Sequence, residues 1–394
     1  MNDQYKQYSF TWHGDVTSVS STAQHSRRLI EPLIKGGAHV RIQPTKAPRP
    51  QEKMTPWWDE KIKAAMQAPP GLIHVNCTPP DAGIKNPTGG PTAILTHWET
   101  LGPPRHWEKH LFEGIYDEIW VPTEGLKAQL DEMEVDQNVR VLPYAIDSSF
   151  AKAGTRAELH GVDDKTFVFG YTGLWNNRKN ISDAIIAYLG AFSSADDVAL
   201  VIKTNGSNPA DVNERKRIAQ MVKEIKKSFN RPDLPKIVLL QEILSQPAMD
   251  SVIRRFDCFI SSSRGEGRNI TMLKAMAMGT PCIYTNILGS KDIADKLREH
   301  LNSTGKEADL LFPVGWTTEP VMQMGNYYTA ANMWARPLCG DLMGAMRHVH
   351  MRHLMNPYKK ESMIMASATQ KLFNKNRLPE ILEEAQPFAI QRLA

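Results

Sequence analysis

The residues best placed to do chemistry lie between Ser261 and Pro281, where Glu266 stands between Gly265 and Gly267. The run Cys258-Phe259-Ile260 ahead of them reads as a buried strand. Met272, Leu273, Met276 and Ala277 then recur at helical spacing, and Gly279 falls where a helix C-cap belongs. Pro281 opens a further apolar run, Cys282-Ile283-Tyr284. The pattern is strand, glycine turn, short helix, strand. Unpaired N–H groups at the helix start, from about Asn269 to Met272, face the mouth of the turn and suit an anion or hydroxyls held beside one. The two glycines leave room for a ligand to approach the backbone. A solvated, capping glutamate is the commoner role for a lone Glu in such a turn.

A second cluster follows the apolar run Thr166–Tyr171. The turn Thr172-Gly173-Leu174-Trp175-Asn176-Asn177-Arg178-Lys179-Asn180 precedes a helix and places two cations at its start. Two cations at a helix start suit a bound anion better than a bare surface, with a solvated loop as the plain alternative. Lys203 ends the strand 198–203 and is a further candidate phosphate contact. His97 closes the strand 92–96, at the carboxyl end where ligands gather in open α/β sheets, and Glu99 is a weaker candidate beside it. Trp57 and Trp58 could stack on a sugar or base, although such pairs more often plug a domain surface.

The segment from Glu266 to Pro281 resembles the donor-binding signature of the retaining GT-B glycosyltransferases of family four, Glu-Gly-Phe-Gly-Leu-Pro-x-x-Glu-Ala-Met-Ala-x-Gly-x-Pro. Glu266, Gly267, Ala275, Met276, Ala277, Gly279 and Pro281 match without a gap. Arg268, Asn269 and Thr271 depart from the pattern, and Lys274 replaces the family's second Glu, which holds the ribose hydroxyls. The resemblance implies donor binding by Gly173, Arg178, Gly267, Arg268, Asn269, Ile270 and Lys274, and a diphosphate contact for Lys179. It also implies a donor-sugar contact for His97. The 284–292 stretch is similar to the family's Thr-x-x-Gly-Gly-x-x-Glu turn and puts Gly289 and Ser290 near the phosphates. Residues 117–123 resemble a further family stretch, Tyr-Asp-x-Ile-Trp-Val-Pro-Ser. Gly14 and Asp15 follow the first strand, where family members have a glycine turn facing both substrates. With Glu99, Trp57 and Trp58 they form the expected acceptor side.

These elements need a large frame. A chain of 394 residues with 41% hydrophobic content can bury two cores. The net charge of +4 arises from 47 basic against 43 acidic residues, so any polyanion affinity must come from local patches such as the basic face of the 214–231 helix. Four scattered cysteines suggest reduced thiols and a cytoplasmic setting, and no apolar run is long enough to span a membrane. The polar start, Met-Asn-Asp-Gln-Tyr-Lys, does not read as a signal peptide. Helix and strand patterns alternate, and periodicity fades between Asp147 and Lys165. Pro32 should kink or stop the first helix. The expected fold is α/β GT-B. Two Rossmann-like domains, 1–155 on the acceptor side and 156–355 on the nucleotide-sugar side, face across a cleft. Helices in 356–394 cross back to the first.

The implied function is retaining transfer of a sugar from a nucleotide-diphosphate sugar to a hydroxyl of a glycan or metabolite, by a monomer or dimer. No resident cofactor is expected, and the lack of an Asp-x-Asp motif suits metal-independent chemistry. Two alternatives stand beside it: a viral-type transferase acting on hydroxymethylated bases in DNA, and a non-catalytic relative that binds nucleotide-sugar or glycan. A dinucleotide-dependent oxidoreductase is disfavoured, since no Gly-x-Gly-x-x-Gly follows either domain's first strand.

Overall fold

The computed structural model describes residues 6–18, 21–44, 55–83, 86–143, 145–146, 154–208, 210–322 and 328–374. The first residues of the polar start, the 45–54 part of the Pro- and Trp-rich stretch, the 147–153 part of the expected linker and the tail 375–394 lie outside it. The chain divides into two units: 1–98, 102–147 and 373–394 form the first, and 99–101 with 148–372 form the second.

In the first unit, short apolar runs become inner strands buried on both faces, as a parallel sheet covered by helices requires, while the two edge strands stay partly exposed. The elements run β1 (Ser9–His13), α1 (Ser21–Lys35), β2 (His39–Gln43), α2 (Pro56–Gln67), β3 (Ile73–Asn76), β4 (Thr92–Leu95), α3 (Arg105–Phe112), β5 (Glu118–Val121), α4 (Glu124–Glu132) and β6 (Asn138–Val141). The sheet order is β2-β1-β3-β4-β5-β6, all parallel. Trp12, Ile42, Val75, Leu95 and Trp120 belong to its core.

Pro32 neither stops nor shortens α1, which continues to Lys35. Its end is set instead by Gly37 at φ 87°, where Ala38 N–H bonds Leu33 O at 3.0 Å and Gly37 N–H bonds Ile34 O at 3.2 Å, a Schellman closure. The helix α2 was not legible as one. Thr55 caps it by accepting from Trp58 N–H at 3.4 Å, and Pro56 occupies the first turn, where its missing N–H costs nothing.

The second unit runs β7 (Phe167–Leu174), α5 (Ile181–Ala191), β8 (Val198–Asn205), α6 (Val212–Ser228), β9 (Lys236–Leu240), α7 (Gln246–Arg255), β10 (Cys258–Ser261), α8 (Ile270–Ala277), β11 (Cys282–Thr285), α9 (Leu288–Ser303) and β12 (Leu311–Val314). A hairpin, β13 (Trp316–Pro320) and β14 (Met333–Pro337), precedes α10 (Cys339–Met355) and α11 (Lys359–Phe373). The parallel sheet has the order β12-β11-β10-β7-β8-β9. On α6, Ile218 and Val222 are buried as their spacing predicts, whereas Met221 is exposed.

The chain end differs from expectation as far as Leu372. Those residues pack within the second unit, where Gln370 Nε2 donates to Ala277 O at 3.0 Å. Only at Phe373 does the chain join the first unit, where Ile146 N–H donates to Phe373 O at 2.7 Å. No helix among the described residues is long and apolar enough to cross a membrane.

Candidate active site

In the second sheet β7 lies between β8 and β10, with register pairs Phe259 to Gly170 and Ile260 to Tyr171 on the β10 side. The strand order reverses there. The turns that follow β7 and β10 therefore open side by side at the carboxyl edge, the position where open α/β sheets bind ligands. The first turn carries Arg178 and Lys179, the second Glu266.

Lys179 Nζ lies 2.5 Å from Glu266 Oε1, and Arg178 Nη1 lies 3.2 Å from Glu266 Oε2. Ser263 Oγ donates to Glu266 Oε1 at 2.6 Å. Burial pushes the Glu266 carboxyl upward, but Lys179 and Arg178 outweigh it and hold the group at about 2, far below its ordinary value. Arg178 is raised, because Glu99 and Glu266 outweigh the cost of burying the guanidinium. Burial pulls the Lys179 ammonium down against the attraction of Glu266. Glu266 is thus an ionised carboxylate away from bulk water, which an isolated buried charge could not be.

Backbone contacts fix this arrangement. Gly289 N–H donates to Glu266 O at 2.8 Å, and a Cβ on Gly289 would meet that same oxygen at 2.8 Å. Glycine is required there by close approach. Tyr171 donates its phenol hydrogen to Lys179 O, and Lys179 N–H donates to Asn176 Oδ1 at 2.9 Å. Gly173 leaves space for the lysine stem, since a Cβ would come within 3.2 Å of Lys179 Cδ. Asn269 sits in the left-handed region at φ 37° and caps α8. Its amide also donates to Ser261 Oγ at 3.0 Å and Ser290 Oγ at 2.8 Å.

The expected donor residues fall in several places. Arg268, Lys274 and Ser290 are buried, and Ile270 opens α8. Gly289 and Ser290 lie in the first turn of α9 instead of an open turn. Lys203 is buried on β8 beside Thr172, and the Asn205 amide, oriented to satisfy its neighbours, accepts from Lys203 Nζ at 3.1 Å. Burial lowers the Lys203 ammonium.

On the expected acceptor side the placement differs more. Glu99 belongs to the second unit, where its carboxylate lies 3.7 Å from Arg178 Nη2. The remaining acceptor-side residues and His97 belong to the first unit. His97 is half-buried just after β4. Gly14 packs against Cys77, and the Asp15 carboxylate closes its own turn by accepting from Thr17 N–H and Ser18 N–H, each at 3.1 Å. Trp58 packs against the core, and Lys35 lies over the Trp57 ring at 5.1 Å. This is the surface-plug arrangement.

Sequence reasoning missed three features. Ser263 was legible in principle, as a polar run at a strand end. Tyr328, whose hydroxyl donates to Glu99 Oε2, has no local signature. In the first unit His13 Nε2, on β1, and His74 Nδ1, on the neighbouring β3, lie 2.9 Å apart, and His74 Nε2 lies 2.9 Å from Thr88 Oγ1. Among the described residues no group of three or more His, Cys, Asp or Glu side chains is placed to hold a metal ion.

Two six-stranded parallel sheets with a cation–carboxylate site at a strand-order reversal define the class: the chain has the GT-B glycosyltransferase fold. A sucrose-phosphate synthase from Thermosynechococcus elongatus superposes with a TM-score of 0.63 at 16% identity, covering 98% of this chain and 99% of that one. A glycosyltransferase from Rickettsia africae gives 0.63 at 12%, covering 96% and 97%. Anabaena HepE, solved with UDP and glucose, gives 0.59 at 10%, covering 96% and 99%. A comparison with the curated proteins gives no match. The family profile "Glycosyl transferases group 1" matches residues 166–315, so the second unit carries a group 1 glycosyl transferase domain.

Proposed function

We propose that the protein moves a sugar from a nucleoside-diphosphate sugar to a hydroxyl of a glycan or small metabolite, with retention at the anomeric carbon. The observation that carries this reading is Glu266 held between Lys179 and Arg178 at the mouth of α8. The bond from the anomeric carbon to the terminal phosphate oxygen breaks, its electron pair stays on that oxygen, and the acceptor oxygen takes the carbon. The acceptor proton leaves with the departing diphosphate on the same face of the sugar.

Charge therefore grows on the diphosphate, and the two cations exchange the Glu266 carboxylate for phosphate oxygens as it does. Cations fixed in a site shielded from water are the strongest means of stabilising such charge. Glu266, released from Lys179, accepts hydrogen bonds from sugar hydroxyls and orients the ring. UDP and glucose, which the HepE structure holds, are the two parts of a donor this site suits. Lys274 in place of a ribose-binding carboxylate leaves the ribose to other groups. For the acceptor, the packing of Trp57 and Trp58 favours a glycan or metabolite over DNA, whose bases would need a free stacking surface.

A panel of UDP-, GDP- and ADP-sugars, read by nucleotide release with glycan, metabolite and hydroxymethylated DNA acceptors, tests the reading. Release with one donor supports it, and a DNA-dependent release moves the acceptor to DNA. Tight donor binding with no release under any acceptor would sink turnover and leave a binding protein.

A further inference from the structure

The hairpin β13–β14 and Tyr328, between its strands, lie beyond residue 315, where the family match ends. They nevertheless reach the site. Ala335 N–H donates to Arg264 O at 2.9 Å, and the Arg264 guanidinium pairs with Glu319. Arg264 is two residues from Glu266. The segment Glu99–Leu101 is anchored by the same region, with Leu101 N–H donating to Met333 O at 2.9 Å.

Within that anchor Tyr328 and Glu99 hold each other at two points. The phenol oxygen accepts from Glu99 N–H at 3.0 Å, and the phenol hydrogen is donated to Glu99 Oε2. The second carboxylate oxygen, Oε1, is left to face Arg178 Nη2 at 3.7 Å. The backbone of Glu99 comes so near the site turn that a Cβ on Gly265 would overlap Glu99 O at 1.8 Å, and Gly265 O in turn accepts from Arg178 Nη1 at 2.9 Å. The Arg178 side chain is therefore held by Glu99, Gly265 and Glu266 and is only 14% exposed. Two carboxylates and two cations cancel, so the cluster of Glu99, Glu266, Arg178 and Lys179 is neutral before any ligand arrives.

We infer that Tyr328 and Glu99 are positioning residues that set Arg178 against the second phosphate of a nucleoside diphosphate. This rests on the reading of Arg178 and Lys179 as diphosphate cations. An arginine already held loses little rotamer freedom on binding, and its planar fork keeps a fixed angle to the phosphate. Exchange of Glu266 for phosphate leaves Glu99 behind the guanidinium, still fixing its orientation. Tyr328 thus acts on Arg178 through Glu99, beside the contacts that Ala335 and Glu319 make with Arg264.

Calorimetric titration of UDP, GDP and ADP, each against its monophosphate, tests this. Tyr328→Phe and Glu99→Gln are near-isosteric and remove one clamp each. Each should weaken the diphosphate about tenfold, the scale of one charge-assisted hydrogen bond, while shifting the monophosphate less than about twofold. In an Arg178→Ala background Tyr328→Phe should add no further loss. Equal losses for mono- and diphosphate, or losses that add in the double variant, would overturn the inference, as would unchanged diphosphate binding in both single variants. A wild type that binds none of the three diphosphates would overturn the donor reading as well, which separates the two failures.

Discussion

Lys179 Nζ and Glu266 Oε1 stand 2.5 Å apart although 87 residues separate them in the chain. The contact exists because β10 pairs with β7, so the turns that leave the two strands share one edge. Each partner is buried and each is the other's principal counter-charge, so removing either leaves an uncompensated charge.

Lys179→Ala and Glu266→Gln should each lower donor-dependent nucleotide release by about a hundredfold or more, the range seen when one fixed stabilising group is lost. Circular dichroism should show an unchanged fold. Initial-rate measurement of nucleotide release checks this, and retention of wild-type rates by either variant would remove that residue from the reaction.

Acid should act through the same pair. The Glu266 carboxyl lies at about 2 in the folded protein against 4.5 for an ordinary glutamate. Its contribution to stability is full above the unfolded value and is lost as the pH falls through the folded one. The shift corresponds to roughly 3 kcal/mol. Denaturant titrations between pH 5 and 2 should show Glu266→Gln losing less stability across that interval than the wild type.

A second pH effect belongs to the first unit. Burial, then the neighbouring His74, lowers His13 from 6.5 to about 4. Both rings are neutral at pH 7, and the unfolded chain takes up protons first as the pH drops. Stability from this pair is complete above about 6.5 and declines toward 4. His13→Gln should flatten that decline, measured by melting temperature at fixed ionic strength.

Gly265 should tolerate no side chain. A Cβ there overlaps the Glu99 carbonyl oxygen, a backbone atom that cannot swing aside. Gly265→Ala should lower the melting temperature by several degrees and reduce activity more than Gly305→Ala, whose site has open space around it despite a φ of 63°. Equal effects would mean that backbone strain and not the contact decides.

Asn269 combines a left-handed backbone with a cap and two buried side-chain bonds. Asn269→Ala should cost about 2 kcal/mol, and Asn269→Gly somewhat less because glycine accepts the φ without strain. Urea denaturation of the three proteins gives the order directly.

What the amino-acid order determined is local. Apolar runs of strand length, the glycine turn at Glu266, the helical spacing of Met272 to Ala277 and the cations before α5 are all set by residues within a turn or two of one another. Their backbone consequences follow from propensity and capping. The closure of α1 at Gly36-Gly37 is local and was legible in spite of Pro32, whereas the start of α2 at Thr55, local too, was masked by the Pro- and Trp-rich stretch around Pro56.

Tertiary structure decided which of these pieces meet. Propensity and spacing alone do not say that β10 lies beside β7; the family resemblance assigns Glu266 and Lys179 to one donor, and the adjacency of the two strands brings them into contact. Glu99 reads as a first-domain residue because it follows β4, yet it belongs to the second unit, where Tyr328 and Arg178 face its half-buried carboxylate. Tyr328 carries no pattern of its own, being one aromatic in an irregular stretch. Its role arises only where the hairpin brings it, because burying a carboxylate demands partners and the sequence alone does not show which distant residues will supply them.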